Sequence, residues 1–383
     1  MDAAGLVRDA DRAAAARNFA QAASLLERAA ALSPEDPALW IRIAAVRRGA
    51  GKAAAALDAV HKALAISPRD FTGLLMRASL LQRMGLPQAG EAWGHAVAQK
   101  PDGDIPPPLQ AALAEAEQRY AAWQAEKEAD LRGRMASAEK EATDEERQRI
   151  ARFRSNSVRR TRAYHSEPTD FQFPELTERE FHPRRLFPWL EELEAATEAI
   201  TAELRQVMAA ERAELVPYVQ FEDHIPMDQW RPLNRNPDWT AIHLLQHGKK
   251  VEANARHCPQ TMAILDKLPQ PDIPGASPNA MFSLLAPKTE IPPHVGIGNT
   301  RLVCHLPLIV PEGCWFRVGA ETRHWKVGEA FVFDDTMEHE AANPSDELRV
   351  VFICDIWHPD LSPTEREAVA ALISAKGAAG DGL

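Results

Sequence analysis

Two histidines and one arginine late in the chain have the types and spacing to do chemistry. His294 and His339 stand 45 positions apart, and Arg349 follows the second by ten. A lone histidine in a β protein is more often a satisfied polar residue than a ligand. A pair is different when both imidazoles are held at strand ends of one small barrel, because two such nitrogens suit a divalent transition metal. His294 follows Pro292-Pro293, which restricts the backbone before it, and His339 sits in Asp334-Asp335-Thr336-Met337-Glu338-His339-Glu340. A fixed guanidinium after the second histidine can take a carboxylate with two parallel hydrogen bonds.

Non-haem Fe(II) oxygenases usually add a carboxylate to two histidines, two residues after the first. Here that position is Gly296, which has no side chain to offer. The residues alone leave two readings open. Either the metal is absent and the barrel is inactive, or iron takes water where the carboxylate usually sits.

The elements that must position these groups are short β-branched and aromatic runs. Arg301–Val310, Ala330–Asp335 and Leu348–Ile353 are cut by Pro-Glu-Gly, Val-Gly-Glu and Asn-Pro-Ser, the pattern of strands and turns in an all-β unit. Upstream, Ala241–Leu245 with a turn at Gly248 and Met281–Leu285 read as further strands. Leu190, Leu193, Ala196, Ile200 and Leu204 stripe one helix from Phe187 to about Ala213. Cys258-Pro259-Gln260-Thr261 opens another, to about Lys267. Asp334 and Asp335 are expected in turn and supporting roles beside the ligand. Trp315, Trp325 and Trp357 are expected to pack, and His358 to be structural.

Residues 1–102 repeat. Ser33-Pro34 recurs as Ser67-Pro68 and Ala50-Gly51 as Met84-Gly85, each after 34 residues. With small residues such as Ala29, Ala56 and Ala63 at helix contacts, this predicts about three tetratricopeptide-like helix pairs, with a concave face open to a partner. Residues 103–165 read as a helical linker. Its start carries Leu113, Ala116, Tyr120 and Trp123 at helical spacing, and its charged part, Glu126 to Arg154, predicts a long solvated helix. The unit that carries the two histidines is then 166–383.

The chain has 383 residues, 45% hydrophobic and 26% charged, with a net charge of −11. That balance argues against a nucleic-acid or anionic-membrane surface, and Arg154, Arg159, Arg160 and Arg162 are too few for a phosphate-binding stretch. Cys258, Cys304, Cys314 and Cys354 form no CxxC pair, so buried free thiols in a reducing cytosol are expected. No run reaches the ~18 apolar residues of a membrane span, and the N-terminus has no signal-peptide pattern. The expected location is cytoplasmic, with no membrane anchor.

Several motifs agree in order and spacing with one known family. Asp238-Trp239, Gly248, Asn254, Cys258-Pro259-Gln260-Thr261, Ser283, His294-x-Gly296, Asn299-Thr300-Arg301-Leu302, His305-Leu306, Phe333-Asp334-Asp335, Glu338-His339-Glu340, Arg349 and Asp355-Ile356-Trp357-His358-Pro359 resemble the aspartyl/asparaginyl β-hydroxylases over roughly residues 230–363. Animal members of that family also place helical repeats before the oxygenase domain. The resemblance implies a double-stranded β-helix (jelly roll) using Fe(II), 2-oxoglutarate and O₂, with glycine in place of the third ligand as the family's own habit. It implies His294 and His339 as metal ligands and catalytic centre, and Ser283, His305 and Arg349 as holding 2-oxoglutarate. Arg301 would face an acidic substrate side chain, and Arg235 is the nearby upstream arginine. Val303 stands where animal members have a basic residue, Asn234 stands at the simplest alignment of the upstream arginine, and a second cysteine of the substrate region is missing. The implied function is hydroxylation of Asp or Asn side chains in a peptide or protein that the repeats help to hold. Hydroxylation of a non-peptide acceptor such as an acyl chain, and a repeat scaffold with an inactive barrel, are the alternatives.

Overall fold

The computed structural model describes residues 2–210, 215–222, 224 and 228–375. Two compact units divide the chain, Met1–Thr161 and Arg162–Leu383.

The first unit is helical. Its pairs are α1 (Ala3–Ala15) with α2 (Phe19–Leu32), α3 (Pro37–Gly49) with α4 (Ala53–Ile66), and α5 (Phe71–Arg83) with α6 (Ala89–Val97). The 34-residue period is written most clearly at the helix ends. Asp2, Asp36 and Asp70 cap α1, α3 and α5, accepting from Gly5, Ala38 and Gly73 amides at 2.7, 2.9 and 2.6 Å. Arg17, Gly51 and Gly85 close the first helix of each pair in the left-handed region, with φ of 59, 76 and 65°. The next amide in each case bonds back across the turn, Asn18 to Ala13, Lys52 to Arg47 and Leu86 to Leu81, which is the Schellman pattern. Ala29, Ala56 and Ala63 are fully buried, the first two within the shared core, so paired helices approach closely.

α7 (Pro107–Glu141) packs onto α6 through two glycines. A Cβ on Gly90 would lie 2.0 Å from the Trp123 ring, and one on Gly94 2.5 Å from Tyr120. The charged stretch does not form one long solvated helix. Ala142 turns extended, a Thr143/Glu146 capping box starts α8 (Asp144–Ser157), and the chain folds back. Arg154 on α8 is buried against Glu128 and Glu139 of α7, and Gln124 donates to the carbonyls of Val158 and Arg159 at 2.9 Å each. The stretch read as a linker thus lies within the first compact unit up to Thr161.

The second unit is an antiparallel sheet protein with helices on one face. Its strands are β1 (Phe181–His182), β2 (Val216–Pro217), β3 (Trp239–Gln246), β4 (Lys249–Lys250), β5 (Ala280–Leu285), β6 (Thr289–His294), β7 (Arg301–Ile309), β8 (Trp315–Val318), β9 (Glu321–His324), β10 (Phe331–Phe333), β11 (His339–Asn343) and β12 (Arg349–Trp357). The larger sheet has the order β1-β10-β7-β12-β5-β3-β2, with β4 paired to β3, and the smaller has the order β6-β11-β8-β9. The helices are α9 (Leu190–Ala195), α10 (Thr197–Ala209), α11 (Glu252–Ala255), α12 (Pro259–Leu265) and α13 (Pro363–Ala375). The expected helix from Phe187 breaks at Ala196, where Thr197 Oγ1 donates to the Glu194 carbonyl at 2.6 Å; its expected end near Ala213 lies outside the described residues.

Period-2 alternation assigns each face of the larger sheet. Leu302, Cys304, Leu306 and Leu308 of β7, Ala280, Phe282 and Leu284 of β5, and Val350, Phe352, Cys354 and Ile356 of β12 pack with Leu193, Ile200 and Leu204 of the helices. The residues between them point the other way. Val303 and Val351 join Ile291, Phe316 and Ala341 of the smaller sheet in a second core, and polar members of the same face line a pocket. Among the described residues no helix is long and apolar enough to cross a membrane.

Candidate active site

His294 and His339 end up opposite each other because β6 and β11 are neighbours in the smaller sheet, with these two residues in register. Their ring centroids lie 4.0 Å apart. Each ring is oriented by its own backbone. His294 Nδ1 lies 2.8 Å from the Pro292 carbonyl and His339 Nδ1 2.9 Å from the Met337 carbonyl. A carbonyl only accepts, so both Nδ1 atoms carry the proton and both Nε2 lone pairs are left for a ligand. Burial holds His294 at about 3, helped by His339, and His339 at about 4 despite its Met337 bond. Both are therefore neutral near pH 7, the form that ligates. Trp230 closes over His294 edge-on at 4.9 Å. No cluster of three or more His, Cys, Asp or Glu able to hold a metal occurs among the described residues.

Arg349 opens β12 and is 2% exposed. It makes a long 3.4 Å donation to the Ser283 carbonyl, its Nε has no partner, and no carboxylate pairs with it among the described residues. Its guanidinium lies 4.9 Å from the Trp325 ring centroid. Burial pulls its pKa down to about 10. Two more buried nitrogens without partners, His305 Nδ1 and Trp325 Nε1, line the same pocket. His305 is held well below its ordinary value by burial and then by Arg349. An unpaired buried cation beside unpaired ring nitrogens is a cradle for an anion. Ser283 Oγ accepts from Trp239 Nε1 at 3.1 Å, and Trp239 stacks on Tyr218 at 3.9 Å.

Arg301 does not offer a free cation. Its guanidinium is held by Asp335 at 3.1 Å and Asp355 at 3.3 Å. Asp355 Oδ2 is in turn bonded by Ser277 Oγ at 3.2 Å, the Asn279 amide at 3.1 Å and Asn279 Nδ2 at 2.9 Å. Burial pulls the Arg301 pKa down, but the two carboxylates outweigh it and the net shift is upward. Asp335 is raised by burial, with Arg301 opposing, and its Oδ1 has no partner. Its carboxylate also occupies the space beside Gly296: a Cβ there would lie 2.3 Å from Asp335 Oδ2. Asp334 turns away and accepts from the Thr336 amide at 3.0 Å. Arg235 is exposed, donates to the Phe221 carbonyl at 3.2 Å, and is not among the pocket's lining residues. Val303 is buried apolar core.

Residues 194–359 match the aspartyl/asparaginyl beta-hydroxylase family. The chain is 34% identical over 201 residues to an ornithine lipid ester-linked acyl 2-hydroxylase of Rhizobium tropici, covering 52% of this chain and 67% of that protein. The chain belongs to the aspartyl/asparaginyl beta-hydroxylase family. It is also 37% identical over 142 residues to the aspartyl/asparaginyl beta-hydroxylase of Mus musculus, covering 37% of this chain but 19% of the relative. The chain thus spans about a fifth of that relative's length. Over 145 residues it is 37% identical to aspartate beta-hydroxylase domain-containing protein 2 of Homo sapiens, covering 37% and 39% of the two. A solved tetratricopeptide-repeat domain, that of Sgt2 from Aspergillus fumigatus, aligns at 17% identity and a TM-score of 0.28, over 30% of this chain and 78% of that one.

Sequence reasoning passed over Trp325, taken as packing, and the link between Arg301, Asp335 and Asp355. It also had no sign of Tyr218 or Asn279 in the pocket.

Proposed function

We propose that this family member is an Fe(II)- and 2-oxoglutarate-dependent hydroxylase whose antiparallel sheets are those of a double-stranded β-helix. The observation that carries the reading is one pocket that joins two neutral, pre-oriented imidazoles to a buried guanidinium without a counterion among the described residues. The donor set fits the group. His294 and His339 Nε2 would hold the metal, and Arg349 the far carboxylate of 2-oxoglutarate, with His305, Trp325 and Ser283 beside the oxoacid. When bound, iron with 2-oxoglutarate supplies the oxidising power to replace an acceptor C–H by C–OH. The chain's own share is placement. Carbonyl bonds fix the two imidazoles, Arg349 orients the oxoacid, and the aromatic walls Phe316, Phe333, Trp239 and Trp325 exclude water. Asp355, Asp335 and Arg301 form a charged strut across the same face.

The acceptor is proposed to be an Asp or Asn side chain of a peptide or protein, as for the family's namesakes. One observation favours the second reading, a non-peptide acceptor such as an acyl chain. Arg301, the cation that an acidic side chain would need, already has two carboxylates, and one relative is named as an acyl 2-hydroxylase. The test is succinate formation from 2-oxoglutarate with added Fe(II). His294→Ala and His339→Ala should each abolish it while leaving the helical unit folded by circular dichroism. An undiminished yield in both variants would sink the assignment.

A further inference from the structure

The first unit carries an open groove of about 610 Å³ between α4, α5, α6 and the segment after α8. His61, Arg69, Arg77, His95 and Arg159 line it, over Leu64 and Leu74, and none of its lining residues is acidic. Arg69, Arg77 and Arg159 make no ion pair among the described residues. Arg159 is also pinned in place. It has a left-handed backbone with φ of 58°, and Gln124 Nε2 holds its carbonyl at 2.9 Å. Three arginines thus share one groove whose lining holds no acidic residue, in a chain whose net charge is −11, so the groove is locally positive and favours an anionic ligand.

We propose that this groove docks an acidic peptide segment, with Asp or Glu side chains against Arg69, Arg77 and Arg159 and an aliphatic side chain over Leu64 and Leu74. The apolar floor favours a peptide over a nucleic acid, which would need stacking aromatics or a longer basic track. The proposal does not depend on the oxygenase reading, and it is read by binding alone, so either can fail without the other.

The test uses the full chain and fluorescence anisotropy with three labelled decapeptides that alternate Leu with Glu, Gln or Lys. The Glu peptide should bind at least about tenfold tighter than the Gln peptide and the Lys peptide not measurably. Affinity for the Glu peptide should fall several-fold between about 50 and about 300 mM salt, as screening shortens the reach of the charges. Arg77→Gln and Arg159→Gln should each weaken binding about fivefold or more. Arg159 is exposed and lies beyond the helices, so its variant stays informative if the half-buried Arg77 variant does not fold. Equal binding of the Glu and Gln peptides, insensitivity to salt, unchanged affinity in Arg159→Gln, or tighter binding of a single-stranded DNA of the same charge would each overturn the proposal.

Discussion

Replacing Arg349 by methionine should stabilise the ligand-free protein and abolish its response to 2-oxoglutarate. The guanidinium is buried, and its pKa falls from an ordinary 12.5 to about 10, with burial as the cause. At 1.36 kcal/mol per unit, that corresponds to a penalty of about 3 kcal/mol on the charged form. Methionine keeps similar bulk and removes the charge. It also loses the contact with Trp325, worth about 1–2 kcal/mol when desolvated, and a long hydrogen bond to Ser283. The net gain is about 1 kcal/mol, or a rise of roughly 2–4 °C for a unit of this size. In the parent, 2-oxoglutarate at a hundred times its Kd should add about 2.7 kcal/mol; in Arg349→Met it should add almost nothing. Arg349→Lys should recover part of the response, because an ammonium lacks the planar fork. The assay is thermal unfolding with and without 2-oxoglutarate. A lower Tm for Arg349→Met without ligand would mean that the cation is already satisfied, and a retained ligand shift would mean that the anion sits elsewhere. Either result refutes the reasoning.

Two stability predictions follow from other parts of the chain. Arg17→Gly should raise the stability of the helical unit by up to about 1 kcal/mol in urea titration, because it removes about 1–2 kcal/mol of left-handed strain against about 0.5–1 of added chain entropy; no gain would mean that Arg17 holds its turn by other contacts. His182 is 5% exposed, has no partner on either ring nitrogen, and is pulled down to about 3, first by burial and then by His358. Its folded pKa lies below the unfolded 6.5, so the stability it contributes is present above pH 6.5 and is lost as pH falls from there toward 3. That loss is of order 4 kcal/mol. His182→Phe should flatten this acid limb, and an unchanged slope between about pH 6.5 and 4 would rule His182 out as its source.

What was legible in the sequence was local and periodic. The 34-residue register predicted three helix pairs, and its physical content lies in Asp2, Asp36 and Asp70 as caps and Arg17, Gly51 and Gly85 as left-handed closures. Short apolar, β-branched and aromatic runs at Met281–Leu285, Arg301–Val310 and Leu348–Ile353 predicted β5, β7 and part of β12. β6 escaped because Pro292 and Pro293 sit inside it. Proline is tolerated there because β6 is the edge of the smaller sheet, with β11 as its one partner among the described residues. The fold-back of α8 on α7 depends on Arg154 reaching Glu128 and Glu139, which charge composition alone cannot announce. Trp325 read as packing for the same reason: only the register of β8 and β9 and the arrival of Arg349 from β12 bring its ring nitrogen to the pocket.

Position 296 is the place where reading one residue at a time stops working. As a letter, glycine two positions after His294 is a missing ligand, compatible with an inactive barrel or with a metal held by two side chains. In the fold it belongs to a set. Asp335 fills the volume a side chain at 296 would take, 2.3 Å from where the Cβ would stand. Asp335 is held there by Arg301, Arg301 by Asp355, and Asp355 by Ser277 and Asn279. A carboxylate at 296 would need Asp335 to leave, and that would strip Arg301 of one of its two buried partners. Breaking a buried pair in this way typically costs about 3–5 kcal/mol. Space and charge therefore both act against a third ligand from that position. The glycine is matched to a carboxylate 39 residues later in the sequence, and the strut behind that carboxylate holds it in the space that a side chain at 296 would need.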